Sequence, residues 1–296
     1  MTEPAALARQ SSRLHLGAIF TLLSAFGFAS MDAMSKLLVR DYAVSQALWI
    51  RYAVFTVFAL LIARRTGIRR TVRSRRPWLQ AIRALLGLVE NGIFVLAFLY
   101  LPLADTHAVA ATSPLIVIAL SALFLHERPD LRRWLAVAAA FAGVLLIVRP
   151  GFQALSWPLL LPLGGALLWA IYQMLIRLCA GSDPPQTTLL WTAWIGLAAT
   201  TLIGPWQWQW PDATAWALLI GVAIFGSLSH YALIKALDYA SAGAIQPYSY
   251  FLLVWAAVLG MVVFGDIPGV WTIAGATIVV LTGLYVWRQD SIGRTG

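Results

Sequence analysis

Apolar residues run along this chain in ten blocks separated by short polar connections, approximately 16–38, 45–63, 78–99, 104–125, 131–149, 157–177, 188–204, 214–236, 243–264 and 269–287. Each block holds roughly 17–23 residues, and a helix needs about 20 to cross the ~30 Å hydrocarbon core of a bilayer. The blocks are too long and too evenly apolar to be the alternating strands of a membrane barrel. A backbone in lipid must satisfy its own N–H and C=O groups, which a helix does internally. The pattern therefore predicts an all-α polytopic membrane protein with ten transmembrane helices.

Composition agrees with that solvent. Hydrophobic residues make up 60% of the chain and charged ones 11%, against about 25% charged in a soluble domain. The formal charge of +9 would point a soluble protein toward nucleic acid. Here the cations sit in the connections, and no nucleic-acid partner is expected. Arg64, Arg65, Arg69, Arg70, Arg73, Arg75 and Arg76 occupy a single connection. Such loops stay cytoplasmic, which places this connection and the N-terminal segment inside. An even number of spans returns the C-terminal segment to the same side. That side also receives Arg9, Arg13, Arg128, Arg132, Arg133, Arg177, Arg288 and Arg294, while the other receives little beyond Arg40 and Arg149. The arginines suit contact with membrane lipid headgroups as well. The first block lacks a small-residue cleavage site followed by a soluble domain and reads as a retained span. The lone Cys179 excludes an intramolecular disulfide. Trp206, Trp208 and Trp210 alternate with glutamine after span seven and are expected as interface anchors.

The two halves resemble each other. His126-Glu127-Arg128-Pro129 ends span four and Gly265-Asp266-Ile267-Pro268 ends span nine, 139 positions later; Arg149 and Arg288 end spans five and ten at the same offset. That offset also places Tyr100 on Tyr239 and Gly87 on Gly226. The first spans align at 141, matching Ala25-Phe-Gly-Phe-Ala29 to Ala166-Leu-Leu-Trp-Ala170 and Lys36 to Arg177. Five spans is an odd number, so the second half enters the membrane upside down. The chain divides into a first five-helix repeat, 1–150, and a second, 151–296, related by an axis in the membrane plane.

With these halves, with Ser113-Pro114-Leu115 ahead of the span-ending Glu127, and with Trp169-Ala170-Ile171-Tyr172 in span six, the chain resembles the ten-span EamA branch of the drug/metabolite transporter superfamily over about 16–288. It departs from the pattern in its second half, where Leu253 stands at the counterpart of Pro114 and Asp266 replaces the glutamate. Within the family it looks most similar to bacterial aromatic amino acid exporters. The resemblance implies a multi-pass protein of the bacterial inner membrane that moves amino acids or similar metabolites outward. Two complete halves make a monomer sufficient.

Charges inside spans are costly and mark protein interiors or water-filled cavities. Span one carries Asp32 and Lys36, four apart on one face; span two carries Arg51; span three carries Arg83, Glu90 and Asn91; span eight carries Ser227, Ser229, His230, Tyr231 and Lys235. The repeat register sets Asn91 against His230, Glu90 against Ser229 and Asp32 against Gln173, so polar positions recur and converge on a shared centre. Gly87 and Gly226 lie one turn before the Asn91/His230 pair, where they either leave room for a ligand or let helices pack closely. Other structural readings stand beside these. Asp32 and Lys36 can neutralise each other, Arg51 can pair with Glu90, and His230 can be an interior hydrogen-bonded histidine or a proton relay. Lys235 and Arg177 are expected to snorkel. Ala136, Ala140, Gly143, Gly275 and Gly283 read as packing residues. Trp169, Tyr172, Tyr248, Tyr250 and Trp255 fall away from the interfaces and suit a cavity for flat apolar groups.

No G-x-x-x-x-G-K-[ST], Gly-x-Ser-x-Gly or His-Glu-x-x-His motif occurs, and His126-Glu127 lacks its second histidine. No enzyme activity, cofactor or metal site is expected. Inverted halves favour alternating access over a channel. The sequence thus predicts a secondary transporter that exports aromatic and other neutral amino acids with broad specificity. A zwitterion must have both charges matched on leaving water. Asp32 or Glu90 is assigned to the ammonium, Asn91, Gln173 or His230 to the carboxylate, and Trp169, Tyr172 and Tyr248 to the apolar walls. Export of cationic drugs or other small metabolites, with proton antiport, is the alternative, because the same carboxylates and rings attract cations.

Overall fold

A computed structural model of the chain describes residues 3–113, 115–116, 120, 131–148, 157–180, 182–239 and 248–292. Among these residues all regular structure is helical. Besides a one-turn helix in the arginine-rich connection, Ile68–Val72, the span helices are α1 (Glu3–Leu38), α2 (Val44–Thr66), α3 (Pro77–Ala97), α4 (Leu103–Ala110), α5 (Leu131–Val148), α6 (Leu160–Ala180), α7 (Pro185–Thr201), α8 (Ala213–Tyr239), α9 (Phe251–Leu259) and α10 (Val270–Ile292). One falls in each predicted span. Among the described residues, five helical stretches are by length and composition apolar enough to cross a membrane: His15–Leu38, Val44–Thr66, Pro77–Ala97, Trp157–Ile176 and Ala213–Ala236. Pro114, most of the second half of span four, and Glu127 with its neighbours lie outside the described residues, as does the start of span nine.

Local chemistry sets the helix ends. Pro77 and Pro185 open α3 and α7, where a missing N–H costs nothing. Span nine closes through a π-helical turn, Gly260–Phe264, onto Gly265 at φ 69°. The Gly265 N–H bonds Met261 O at 3.1 Å and the Asp266 N–H bonds Gly260 O at 3.1 Å, a left-handed cap that glycine adopts without Cβ strain.

The helix pairings repeat between the halves. α1 packs on α8 as α6 packs on α3; α1 meets α9 as α6 meets α4; α2 meets α8 as α7 meets α3. The remaining major pairs, α2 with α7, α4 with α9 and α5 with α10, are their own counterparts. Exchanging each helix for the one five places away leaves this set unchanged, as a pseudo-two-fold axis requires. Odd repeats so related are inverted, and the ten-helix, two-repeat architecture follows.

Small residues hold these pairs close. A Cβ on Gly143 would lie 2.9 Å from Gly275 O, and one on Gly275 would lie 2.5 Å from Gly143 O, so the backbones of α5 and α10 touch. Ala136, Ala140, Val144 and Val279 complete that contact. Gly283 accommodates the Tyr250 hydroxyl. The predicted packing role of these residues is thus observed. Large apolar side chains such as Leu23, Val57, Leu61, Val89, Leu135 and Ile273 remain exposed on the outer faces, as a lipid solvent permits.

Contacts between connections sort them onto two ends. At the arginine-rich end, Asp183 accepts hydrogen bonds from Ser74 Oγ, from the Arg75 N–H at 2.8 Å and from Gln80 Nε2 at 2.9 Å. Burial raises the Asp183 carboxyl pKa, but the bonds from Gln80, Ser74 and Arg75 outweigh it and hold the group below the ordinary carboxylate range. At the opposite end, Gln46 exchanges two bonds with the Gln209 backbone, at 2.7 and 3.0 Å. Trp206 and Trp210 project there, as interface anchors would, whereas Trp208 packs between Trp49 and Trp216.

Candidate substrate cavity

Eight helices enclose a central cavity of about 180 Å³. Asp32, Glu90, Asn91, Trp169, Tyr172, Gln173 and His230 all line it. Tyr248 does not; Ser249, Tyr250, Leu252 and Leu253 form that wall instead. The expectation for Tyr248 is corrected: it is helical, but Ser249, Leu252 and Leu253 share the helical face that meets the cavity, and Tyr248 lies outside the lining. The cavity also takes in α2 through Arg51 and Tyr52, and α7 through Thr192. His107 is a lining residue that the sequence reading passes over, although a titratable side chain inside an apolar block is a legible signal.

The charged partners differ from those expected. Arg51 Nη1 donates to Asn91 Oδ1 rather than pairing with Glu90. Its guanidinium also lies 5.7 Å from the Tyr52 ring centre. Lys36 does not neutralise Asp32. It reaches across the opposite end to Asp266 Oδ2 at 2.8 Å and Leu101 O at 3.2 Å, over the Phe264 ring. Asp32 instead faces His107, with Oδ2 3.1 Å from Nε2. That nitrogen makes no aligned hydrogen bond, so the contact is one of proximity. The His107 ring stacks on Phe94 at 6.1 Å and 10°.

His230 Nδ1 lies 3.0 Å from Gly226 O. A carbonyl only accepts, so Nδ1 carries the proton in this bond and Nε2 presents a lone pair. Phe28 and Phe55 contact the ring at 4.9 and 5.6 Å. Trp169 and Tyr172 stack at 5.3 Å and 25° on the α6 side. The cavity therefore combines aromatic walls with acceptors (Asp32, Glu90) and donors (Arg51, Asn91, Gln173).

The two central glycines serve the walls. A Cβ on Gly87 would sit 2.9 Å from the Tyr172 ring, and one on Gly226 would sit 2.9 Å from Met31 Sδ and 3.1 Å from Arg51 Nε. Their space is already filled by cavity side chains, which favours the close-packing reading. Lys235 lies over the Tyr231 ring at 6.0 Å, and the Arg177 side chain falls outside the described residues.

A family model described as the EamA-like transporter family matches residues 15–149 and again 156–287, once in each half. The chain is 27% identical over 279 residues to the riboflavin transporter of Vibrio cholerae, covering 93% of this chain and 94% of that one. It is 27% identical over 282 residues to the pseudopaline exporter CntI of Pseudomonas aeruginosa, covering 93% and 97%. It is 23% identical over 265 residues to the S-adenosylmethionine uptake transporter of Rickettsia felis, covering 90% of each. A solved structure titled "Crystal structure of protein" superposes with a TM-score of 0.62 at 19% identity, covering 92% and 95%, and shares the fold. These names support a transporter of small molecules and lend no support to aromatic amino acids as the cargo.

Proposed function

Because this chain belongs to the EamA-like transporter family, we propose that it carries a flat, heteroaromatic metabolite with polar edges through the central cavity, a cargo nearer to riboflavin than to a simple neutral amino acid. The observation that carries this reading is the mixture of aromatic and polar side chains in the cavity lining. Phe28, Tyr52, Phe94, Trp169, Tyr172 and Tyr250 offer ring faces, to which a planar ring system binds by stacking. Arg51, Asn91, Gln173 and His230 stand among them, with Asp32 and Glu90 close by, and they match the carbonyl, N–H and hydroxyl groups on the edges of such a solute. Riboflavin and S-adenosylmethionine, the cargoes named for two relatives, share a nitrogen heteroaromatic ring bearing a polar chain. Alternating access follows if 1–150 and 151–296 rock as inverted halves about the cavity, with both termini cytoplasmic.

Riboflavin fluorescence gives a direct test in proteoliposomes, with and without a pH gradient. The expected result is saturable riboflavin flux that phenylalanine does not inhibit. Saturable phenylalanine flux with no riboflavin flux would restore the amino-acid reading. Flux of a lipophilic cation alone, driven by the pH gradient, would restore the drug-antiport reading.

A further inference from the structure

Among the described residues, Arg83 on α3 is the largest side chain fully withdrawn from solvent. It lies one turn before Gly87 and does not itself line the cavity. Its Nε donates to Gln80 Oε1 at 3.2 Å, its Nη1 to the Tyr172 hydroxyl at 3.0 Å, and its Nη2 to Thr188 O at 3.0 Å and Thr192 Oγ1 at 2.8 Å. All four acceptors are neutral. Two of them, Tyr172 and Thr192, are cavity wall. A cation is therefore fixed directly behind the aromatic wall, bridging α3 of one half to α6 and α7 of the other.

The fold does not demand a cation there. In the repeat register, 139 positions on, Arg83 corresponds to Val222 and Gln80 to Leu219. Both are buried in an apolar cluster with Met31 and Leu38 of α1. At these two positions the equivalent helix contact is thus apolar in the other half, although burying an ion carries a large desolvation cost.

The proton inventory shows what the cation is for. Thr192 Oγ1 accepts from Arg83 and donates its own hydrogen to Thr188 O at 2.7 Å. The Tyr172 oxygen likewise accepts from Arg83, and a phenol has one proton of its own to give. None of the described hydrogen bonds takes up that proton. An oxygen that accepts from a guanidinium is polarised and becomes a stronger donor. The ring is also clamped in place, between Arg83 and Gly87 on successive turns of α3.

We propose that the Tyr172 hydroxyl, held and polarised by Arg83, is a further hydrogen-bond donor of the cavity, beside Arg51, Asn91 and Gln173, toward an acceptor edge of the substrate, a ring carbonyl, ring nitrogen or carboxylate oxygen. Trp169, stacked on Tyr172, meets the adjacent flat face. Arg83 is a positioning residue. This assignment rests on the cavity being the substrate site, and it narrows the substrate class to solutes that bear an acceptor beside a planar ring.

A double-mutant cycle tests it, with binding read by quenching of riboflavin fluorescence in detergent-solubilised protein. Tyr172→Phe and Arg83→Met are each expected to weaken riboflavin binding about tenfold. In the Tyr172→Phe background, Arg83→Met is expected to add little, because its effect runs through the missing hydroxyl. Arg83→Lys keeps the charge but loses the planar fork; it should weaken binding too, and it replaces the methionine variant if that one does not fold. Independent, additive losses would overturn the assignment. So would a Tyr172→Phe variant of unchanged affinity beside an Arg83→Met variant that only melts earlier. A ligand-free measurement separates the two proposals. With 3-fluorotyrosine at position 172, the ¹⁹F resonance should shift and broaden in Arg83→Lys; an unchanged resonance refutes the positioning role for any substrate. The same cycle is run with phenylalanine, whose carboxylate supplies the acceptor. Wild-type protein that binds phenylalanine and not riboflavin would refute the riboflavin-like cargo, while the cycle would still decide on Tyr172.

Discussion

Arg51 and Asn91 act on the cavity as one hydrogen-bonded unit, and His230, bonded through Nδ1 to Gly226 O, shares the lining with them. Replacing Asn91 by leucine removes a polar group from the cavity and leaves Arg51 short of an acceptor. A hydrogen bond to a charged group is worth about 1.5–3 kcal/mol, so Asn91→Leu should lower apparent substrate affinity about tenfold or more in flux assays. His230→Leu is expected to act in the same direction. Wild-type kinetics in both variants would assign these residues to structure. Loss of only a pH-gradient-driven component in His230→Leu would make the histidine a proton relay. Asp183 makes a separate, titratable contribution. Its folded pKa is depressed, so its stabilisation is present in full above the ordinary value of about 4 and is lost as pH falls through the lowered one. Thermal melting between pH 3 and 5 should therefore show an acid-side decline that Asp183→Asn flattens. A decline of equal slope in the variant would locate the acid sensitivity elsewhere.

At the scale of elements, α5 and α10 approach closely, where Gly143 and Gly275 meet backbone to backbone. A backbone cannot swing aside as a flexible side chain does. Gly275→Val should cost at least the 1–3 kcal/mol typical of overpacking, visible as a lower melting temperature in detergent. Gly164 in α6 is the contrast, since a Cβ there meets nothing within 4 Å. Gly164→Ala should be neutral or slightly stabilising, because alanine is the better helix former by about 1 kcal/mol. Equal effects at the two positions would show that helix propensity, and not the crossing, governs stability.

For the whole molecule, the prediction is one of sidedness. The contact of Asp183 with Ser74 and Arg75 places two connections on one end, and the positive-inside rule predicts from the arginines of 64–76 that this end is cytoplasmic. Single cysteines at Gln10 and Ser291 in a Cys179→Ser background should resist impermeant thiol reagents in intact cells. Rapid labelling of either from outside would reverse the orientation. A cysteine at Gln207, in the opposite connection, should label readily in the same cells.

The chain by itself determined its solvent, its helices and their inverted pairing. Each of these depends on transfer free energy summed over about 20 consecutive residues, or on an odd count of such segments, and both are readable in order along the sequence. Depth was legible as well, which is why Asp32, Glu90, Asn91, Gln173 and His230 could be assigned to one level and the structure places all five around one cavity. Rotation about each helix axis was not legible. In lipid, the outward and inward faces of a helix are both apolar, so no amphipathic stripe marks the inner one. Only the tertiary structure could join Lys36 to Asp266, set Asp32 against His107 and give Arg51 to Asn91. For the same reason Arg83 reads in the sequence as one more charge in a span. Packing against α6 and α7 makes it the support of a cavity tyrosine.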